Sequence, residues 1–570
     1  MSKYRLAEPA PAGLYKDKLL SQLLYNRGFG NETDIQNFLF PDYEEHRHDP
    51  FLLNDMGKAV ERVLLAIKND ERIAIYSDYD CDGIPGAVVL HDFFKAVGYE
   101  SFQNYIPHRH YEGFGLNTAA IDKLAKDKVS LIITVDCGTA DVEAITLAKK
   151  LGVDVIVTDH HLPAPRPSRQ AGEPDYLLPE AVAIVNPKLG NYPFKELCGA
   201  GVVFKLVEAL LQKGDFNFIT GKEKWWLDMV ALATVSDMVP LLGENRVLAH
   251  YGLRVLRKSR RPGFQHLLRK TRSDQRYLNE DDIGFTIAPR INAASRMDTP
   301  EDAFFMLSSS DESEAGARVE HLEKLNNERK GIVAAMVKEL KHRVNEFTEL
   351  PPVLVLGNPA WRPALVGLAA NSLTEEFRRP VFLWGRDGGG LIKGSCRSEG
   401  TTSVVRLMEE VSENFLEHGG HHFSGGFTVK EEAIFTLPQK LNDAYLALGE
   451  RVSAAEETLI DSELKLEDVN QELVKTLRLL SPFGIGNPKP LFVFRSVSPT
   501  KVELFGKNRE HLKLVFEVPR GRLEAIAFFS SPEGFAKKPE ANKLLDLVAH
   551  VEESFFMNRL QTRLRVVDII

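Results

Sequence analysis

Three aspartates occupy alternate positions in Ser77-Asp78-Tyr79-Asp80-Cys81-Asp82-Gly83, directly after an apolar run. On an extended backbone they project to a common side. Two carboxylates about 4 Å apart repel by roughly 4 kcal/mol at an effective dielectric of about 20. The pattern therefore calls for positive charge, and a divalent cation is the simplest source. A calcium loop also opens D-x-D-x-D-G, but its glutamate would fall at Val89, and the preceding segment is strand-like rather than helical. Three further sites share the chemistry. Asp136 closes the run LIITVD, Thr158-Asp159-His160-His161 closes the next, and Asp237 lies in ATVSDMVPL after an apolar helical stretch. Carboxylates with one imidazole suit manganese or magnesium better than zinc. Neighbouring histidines on an extended chain point to opposite faces, so one of His160 and His161 reads as a metal ligand and the other as facing a substrate phosphate. Asp159 can accept an imidazole N–H and fix a ring. Metals held by shared carboxylates activate water for in-line displacement at phosphorus, so the leading chemistry is metal-dependent phosphoester hydrolysis. No G-x-x-x-x-G-K-[ST] loop follows a strand. Cys81 and Cys137 flank the acids without a positioned base and read as packing residues.

The elements that must position these groups are legible. RIAIYSD (72–78), LIITVD (131–136), VDVIVTD (153–159) and AVAIVNP (181–187) are near-continuous apolar runs, separated by helical stretches such as 87–97 and 142–151. Strands buried on both faces have this composition, and the alternation predicts βαβ units on a mainly parallel sheet. Ligands of such sheets bind beyond the carboxyl ends of the strands, where three of these runs end in aspartate. Residues 311–347 have helical spacing and no proline, which predicts a long connecting helix or two in sequence. A second α/β unit follows: strands at 352–357, 380–385 and 391–396, helices near 364–377 and 402–417, a turn at the glycine run 388–390, and a close on HGGHHFSGGF (418–427). Beyond about 455 several short strands predict a small barrel or sandwich.

Composition excludes several classes. The 570 residues are 44% hydrophobic and 26% charged, which rules out disorder or fibre as a whole-chain reading. At roughly 150 residues per domain the length implies three or four domains. No run approaches the ~18 apolar residues of a membrane span. The opening MSKYRLAEPAPAGLYKDK has no apolar signal-peptide core, so a cytoplasmic protein is expected. Four scattered cysteines speak against a disulfide framework or zinc knuckle and fit a reducing compartment. The net charge of −9 gives no global case for nucleic acid, so any basic site must be local. Arg254 to Arg272 qualifies, with eight Lys or Arg and no acid. A solvated helical face accounts for it equally well.

DYDCDG, VDCG, TDHH and SDMVPL, in this order, resemble the four motifs of the DHH phosphoesterase superfamily. The lead-in, IPHRHYEGFGL (106–116), APRINAASRMD (288–298), KGSCRS (393–398), GGHHFSGGF (419–427) and SPFGIGNPKPLF (481–492) are similar to one branch of it, the RecJ family. The resemblance implies a single-stranded-DNA-specific 5′→3′ exonuclease of recombination and repair, releasing 5′-mononucleotides with two Mn2+ (or Mg2+) ions. It implies metal ligation by Asp80, Asp82, Asp136, His160 and Asp237, with Asp78 as a further ligand or support and Asp136 as the bridge. His161 matches a histidine near the scissile phosphate. Arg109, Arg290, Asn292 and Arg296 match positions around bound phosphates, where a planar guanidinium engages two oxygens at once; salt bridges across the crevice are the alternative for the arginines. Ser395, Arg397, Ser398 and His421 match the DHH-associated domain's contacts to the strand. The implied organisation is a helical lead-in over 1–50, a parallel-sheet DHH domain over 51–310, a connecting helix over 311–348, a DHH-associated domain over 349–450 and a C-terminal β-barrel, an OB-fold, over 455–570. Phe505, Phe528, Phe555 and Phe556 are its stacking candidates. A RecQ-type helicase and a single-strand-binding protein are the implied partners, with no membrane association and a monomeric state.

Departures cluster on the substrate side. Pro85 stands where a small hydroxyl residue is usual, Arg362 replaces the histidine of W-H-x-G-V-V-G, and Ser295 and Cys396 replace glycines. None touches an implied ligand. Two other readings differ in what they act on. Smaller DHH relatives cleave short RNA, cyclic dinucleotides or polyphosphate but lack the β-rich C-terminus. A non-catalytic scaffold would have lost ligands that are all present here.

Overall fold

A computed structural model describes residues 4–165, 176–400, 402–449, 457–506, 509–519, 521–556 and 559–570. The side chains of His421, Ser554, Phe555, Phe556 and Arg559 lie outside that set.

Five parallel strands form the first sheet, in the spatial order Phe102–Tyr105, Ile73–Ser77, Leu131–Val135, Asp154–Thr158, Ala183–Val185. The four expected runs are all strands. The fifth, Phe102–Tyr105, has the half-buried sequence FQNY and no apolar run to announce it. Each central strand divides its side chains between two cores. Ile73, Ile75, Ile133 and Val135 pack with Phe93, Phe94 and Val203 on one face. Ala74, Tyr76, Ile132 and Val157 pack with Ile121, Ala144 and Ala148 on the other. Period-two alternation between two apolar layers is why these strands read as unbroken hydrophobic runs.

The connecting segment is one helix of 34 residues, Glu312–Asn345, about 50 Å long at 1.5 Å per residue. Asp311 caps it by accepting the Glu314 N–H at 2.7 Å. The second sheet runs Phe415–His421, Ser424–Val429, Ile392–Arg397, Val381–Arg386, Leu354–Gly357, and only its last pair is parallel. The helix expected near 402–417 is shorter, Val404–Glu410. From Phe415 the chain becomes a strand, hairpinned onto Ser424–Val429 so that Phe415 and Phe427 enter the core with Phe382.

The C-terminal module is a seven-stranded, largely antiparallel sheet between Ser462 and Ile569, with the amphipathic helix Gln471–Leu480 beside it. The lead-in does not stand apart. Leu20, Leu23 and Leu24 from Lys18–Tyr25, and Ile35 and Phe38 from Glu32–Leu39, share one core with Leu477, Phe492, Leu514 and Leu547. Tyr4–Leu6 pairs in parallel with Thr458–Ile460. Arg246 pins the junction: buried, stacked 3.6 Å over the Phe38 ring, it donates to the carbonyls of Phe38, Leu479, Leu480 and Ser481.

Candidate metal centre

The sheet brings the acids together through its own ladder. The residue after each strand bonds to the neighbouring strand: Asp78 N–H to Val135 O, Asp136 N–H to Thr158 O and Asp159 N–H to Val185 O, at 3.0–3.1 Å. Three aspartates from distant stretches of sequence thus stand along one sheet edge.

Beyond Asp78 the chain is bent, not extended, which corrects the alternating-face expectation. The backbone curls into the helix Gly83–Ala96, with Asp80 Oδ1 accepting the N–H groups of Asp82 (2.7 Å) and Gly83 (3.2 Å). The turn is so tight that a Cβ on Gly83 would lie 2.5 Å from Asp78 O, which explains the glycine. Two side chains clamp the Cys81 peptide: Asn292 Oδ1 accepts its N–H at 2.9 Å, and Ser236 Oγ donates to its carbonyl at 2.8 Å.

Asp82 accepts the N–H groups of Gly199 and Ala200, each at 2.7 Å, at the start of the helix Gly199–Lys213. Exposed N–H groups and the helix dipole favour a carboxylate there. Gly199 approaches the cluster so closely that a Cβ would sit 2.6 Å from that of Asp136. Asp136 itself has φ of 63°, in the left-handed region, a strained conformation of the kind concentrated at functional sites. Asp237 caps the C-terminus of the helix Leu227–Ser236.

His160 Nε2 lies 3.2 Å from Asp136 Oδ1 and 3.6 Å from both Asp82 Oδ2 and Asp237 Oδ2. The two histidine rings do not diverge as strand geometry would have it. Their centroids are 4.5 Å apart, because the strand ends at Thr158 and the chain turns before them. His161 Nδ1 is 2.8 Å from Asp159 Oδ1 and 3.8 Å from Asp136 Oδ1. Asp159 serves the ring, and it also accepts the N–H groups of His160, His161 and Thr139. Asn186, at the end of the fourth apolar run, donates to His161 O and Thr139 Oγ1.

Electrostatics divides these carboxyls into two groups. Burial, then the charge of neighbouring aspartates, pushes the Asp78, Asp136 and Asp237 carboxyls well above the usual range and Asp82 up to about 7. Burial acts the same way on Asp159, but the hydrogen bond and charge of His161 outweigh it and hold that carboxyl far below. His161 responds in kind, with burial lowering it and Asp159 raising it further, to about 9. Oδ1 of Asp78 and of Asp136 is buried without a hydrogen-bond donor among the described residues. Asp78, Asp80 and Asp136 offer ligand atoms within 4.8 Å of one another, as do Asp82, His160 and Asp237, and Asp136, His160 and His161. Mutually repelling, under-satisfied oxygen donors with an imidazole fit a hard divalent cation.

The arginines around this cluster divide. Arg109 lies 4.8 Å from the Tyr79 ring centroid, beside the acidic loop. Arg296 is half-buried, donates to Ala364 O across the domain boundary at 2.7 Å, and is lowered to about 9 by burial and by Arg109, Arg329 and Arg397. Arg397 bonds to Cys396 O. Arg290, in contrast, is committed to Glu323 (2.6 Å) on the long helix and to Thr286 O. Ser395 packs under Gly367, and Ser398 Oγ donates to Thr402 O at 2.7 Å. The expectation for His421 concerns a side chain outside the described residues. Ser236, Thr139 and Asn186 escape sequence reasoning, because a hydroxyl or amide beside an apolar run has no spacing signature.

Three family models match: the DHH family, N-terminal domain over 72–234, the DHHA1 domain over 350–453 and the RecJ OB domain over 460–568. The single-stranded-DNA-specific exonuclease RecJ of Salmonella typhimurium is 32% identical over 498 residues, 84% of each chain. This chain belongs to the RecJ family. The RecJ of Bacillus subtilis is 34% identical over 523 residues, 90% of this chain, which spans 63% of that relative's length. RecJ of Thermus thermophilus, crystallised with Mn2+, superposes with a TM-score of 0.81 at 25% identity, over all of this chain and 79% of that one. The DHH domain, the long helix, the DHHA1 sheet and the RecJ OB domain account for the architecture, and a RecJ relative holds Mn2+. Among the described residues no helix is long and apolar enough to cross a membrane.

Proposed function

We propose that this chain is a metal-dependent, single-stranded-DNA-specific exonuclease that digests from the 5′ end, releases 5′-mononucleotides, and serves recombination and repair, where a RecQ-type helicase and a single-strand-binding protein would supply and protect the strand. The observation that carries the reading is the buried cluster in which Asp136 reaches two ligand groups at once. Mn2+ or Mg2+ would suit it: Asp78, Asp80 and Asp136 would hold one ion and Asp82, His160 and Asp237 a second. When bound, such ions neutralise charge developing at phosphorus and acidify water.

The chain's own residues do the rest. Asp159 keeps the proton on His161 Nδ1 and, by its charge, favours the imidazolium, so the far nitrogen is a donor suited to a non-bridging phosphate oxygen. Arg109, Arg296 and Arg397 supply fixed positive charge beside the acidic loop. Arg290 acts through Glu323, aligning the helix that carries Asn292 and Arg296. By the resemblance, Ser395, Ser398 and His421 would contact the strand from the DHHA1 domain.

A single strand labelled at either end, with Mn2+, with EDTA, and beside a blunt duplex, tests the reading. Metal-dependent release of mononucleotides from the 5′ end of the single strand alone is expected. Release from the 3′ end, or activity confined to dinucleotides or polyphosphate, overturns it.

A further inference from the structure

The basic segment Arg254–Arg272 takes no part in the metal centre. Three of its arginines, Arg254, Arg257 and Arg272, line a cavity of about 640 Å3 between the end of the helix Gly243–Leu256 with the segment 272–282 and the C-terminal module, whose helix Gln471–Leu480 and strands Leu545–Phe556 and Arg559–Ile569 form the far wall. That size is within the range of ligand sites, about 300–1,000 Å3. None of its lining residues belongs to the acidic cluster.

Charge in the cavity is sorted. Four of its cations have partners: Arg276 with Asp274, Lys489 with Asp281, Arg478 with Glu553 and Arg563 with Glu552. Arg254, Arg257 and Arg272, all from the acid-free segment, form no salt bridge among the described residues. Among the described residues Arg257 donates to Leu278 O at 2.7 Å, and Arg254 sits 5.5 Å over the Tyr251 ring. Their field registers on His250 in the same wall. Burial and then the charges of Arg246, Arg254 and Arg257 depress it to about 4. Glu280 and Asp282 line the same cavity, Glu280 3.9 Å from Lys489, and both attract Arg257, so the cations of the lining left without an acidic partner among the described residues are Arg254 and Arg272. Tyr277 and Phe483 add aromatic rings to the same lining.

We propose that this cavity binds backbone phosphates of the single strand at a position remote from the scissile bond, with Arg254, Arg257 and Arg272 as the phosphate contacts and Tyr277 and Phe483 as stacking surfaces for bases. Unpartnered guanidiniums beside aromatic rings are what a sequence-tolerant single-strand site requires. A site shared between catalytic domain and C-terminal module grips a long strand and is out of reach of a short one. This inference rests on the proposed single-strand exonuclease reading.

The test uses the full chain with Mn2+ and a long fluorescent strand whose end linkages are phosphorothioates, titrated across salt concentrations. Each phosphate contact contributes about 0.7 to the log–log salt slope on single strands. Arg254→Gln/Arg272→Gln breaks no salt bridge or hydrogen bond and is expected to flatten the slope by about 1.4, which weakens long-strand binding roughly 25-fold at about 0.1 M salt. Adding Arg257→Gln flattens it by about 2. Mn2+-dependent cleavage of a dinucleotide is expected to stay at the parent rate. Wild-type slope and affinity in both variants overturn the proposal. So does loss of inorganic tripolyphosphate binding with long-strand binding intact, which would make the cavity a free-anion site. A parent protein that cleaves no single strand refutes the exonuclease reading instead, a result separable from the binding slope.

Discussion

Asn292 separates two accounts of the substrate side. By resemblance it is a phosphate contact, whereas its Oδ1 accepts the Cys81 N–H at 2.9 Å, between the two candidate ligands Asp80 and Asp82. Asn292→Ala leaves that buried N–H without an acceptor, a cost of about 1–3 kcal/mol. The native turn bears this cost, because the chain can recover the bond to water only by opening the loop. About 2 kcal/mol corresponds to a roughly thirtyfold shift toward the open loop, which agrees with the about 10–100-fold losses of metal affinity seen when ligand supports are removed. Ser236→Ala, which removes a donor from the Cys81 carbonyl, is the internal control. A carbonyl tolerates under-satisfaction better than an N–H, so its loss should stay below about fivefold, or about 1 kcal/mol. The assay is Mn2+ titration by electron paramagnetic resonance in the absence of DNA, with KM and kcat measured on a single strand. Weakened Mn2+ binding, with kcat recovered at high Mn2+ and KM nearly unchanged, is the expected pattern. Unaltered Mn2+ affinity with a raised KM would refute the positioning role and return Asn292 to the phosphate.

Four further outcomes are expected. Asp136→Ala should abolish hydrolysis while the far-ultraviolet circular dichroism spectrum and single-strand affinity stay close to the parent's; retained cleavage would remove the shared-ligand assignment. Mn2+ binding should release more protons at pH 6 than at pH 8, because Asp82, raised to about 7, and its raised neighbours are partly protonated in the metal-free site at the lower pH and must ionise to bind; calorimetry in buffers of different ionisation heat reads this, and equal release at both would contradict it. Gly199→Ala drives a Cβ to 2.6 Å from that of Asp136 and should cost about 1–3 kcal/mol with loss of Mn2+ affinity, whereas Gly201→Ala, whose nearest neighbour is 3.6 Å away, should leave Mn2+ affinity unchanged. Truncation after residue 449 should cause aggregation in size-exclusion chromatography, since Leu23, Leu24 and Phe38 lose their packing partners; removing the lead-in as well should restore a monodisperse peak.

The candidate ligands Asp78 and Asp136 were legible because each sits at the end of an apolar run, and a strand buried on both faces admits an aspartate only where it leaves the sheet. The long helix was legible for the same kind of reason, its spacing being uninterrupted by proline. The edge strand Phe102–Tyr105 was not, since an edge needs no apolar run and FQNY carries none. Nor was the docking of the lead-in. Amphipathic helices announce that they will be covered and leave open by what, and the answer lay more than 400 residues away in Leu477 and Phe492.

The chemistry open to this protein is written in its residue types and their order: alternating aspartates and a histidine pair name a metal-dependent phosphoesterase, because these side chains serve few other purposes in company. What each of them does is set in three dimensions. Asp159 and Asp136 both follow apolar strands, yet one is held ionised by four N–H groups and the other is left strained and unsatisfied, facing its like. Three arginines in one basic segment, Arg254 and Arg272 exposed and Arg257 half-buried, come to line a cavity only because the C-terminal module packs beside them. Local pattern records which groups are present; the balance of burial against hydrogen bonding and charge, which sets a group's role, arises only between parts of the chain that sequence keeps apart.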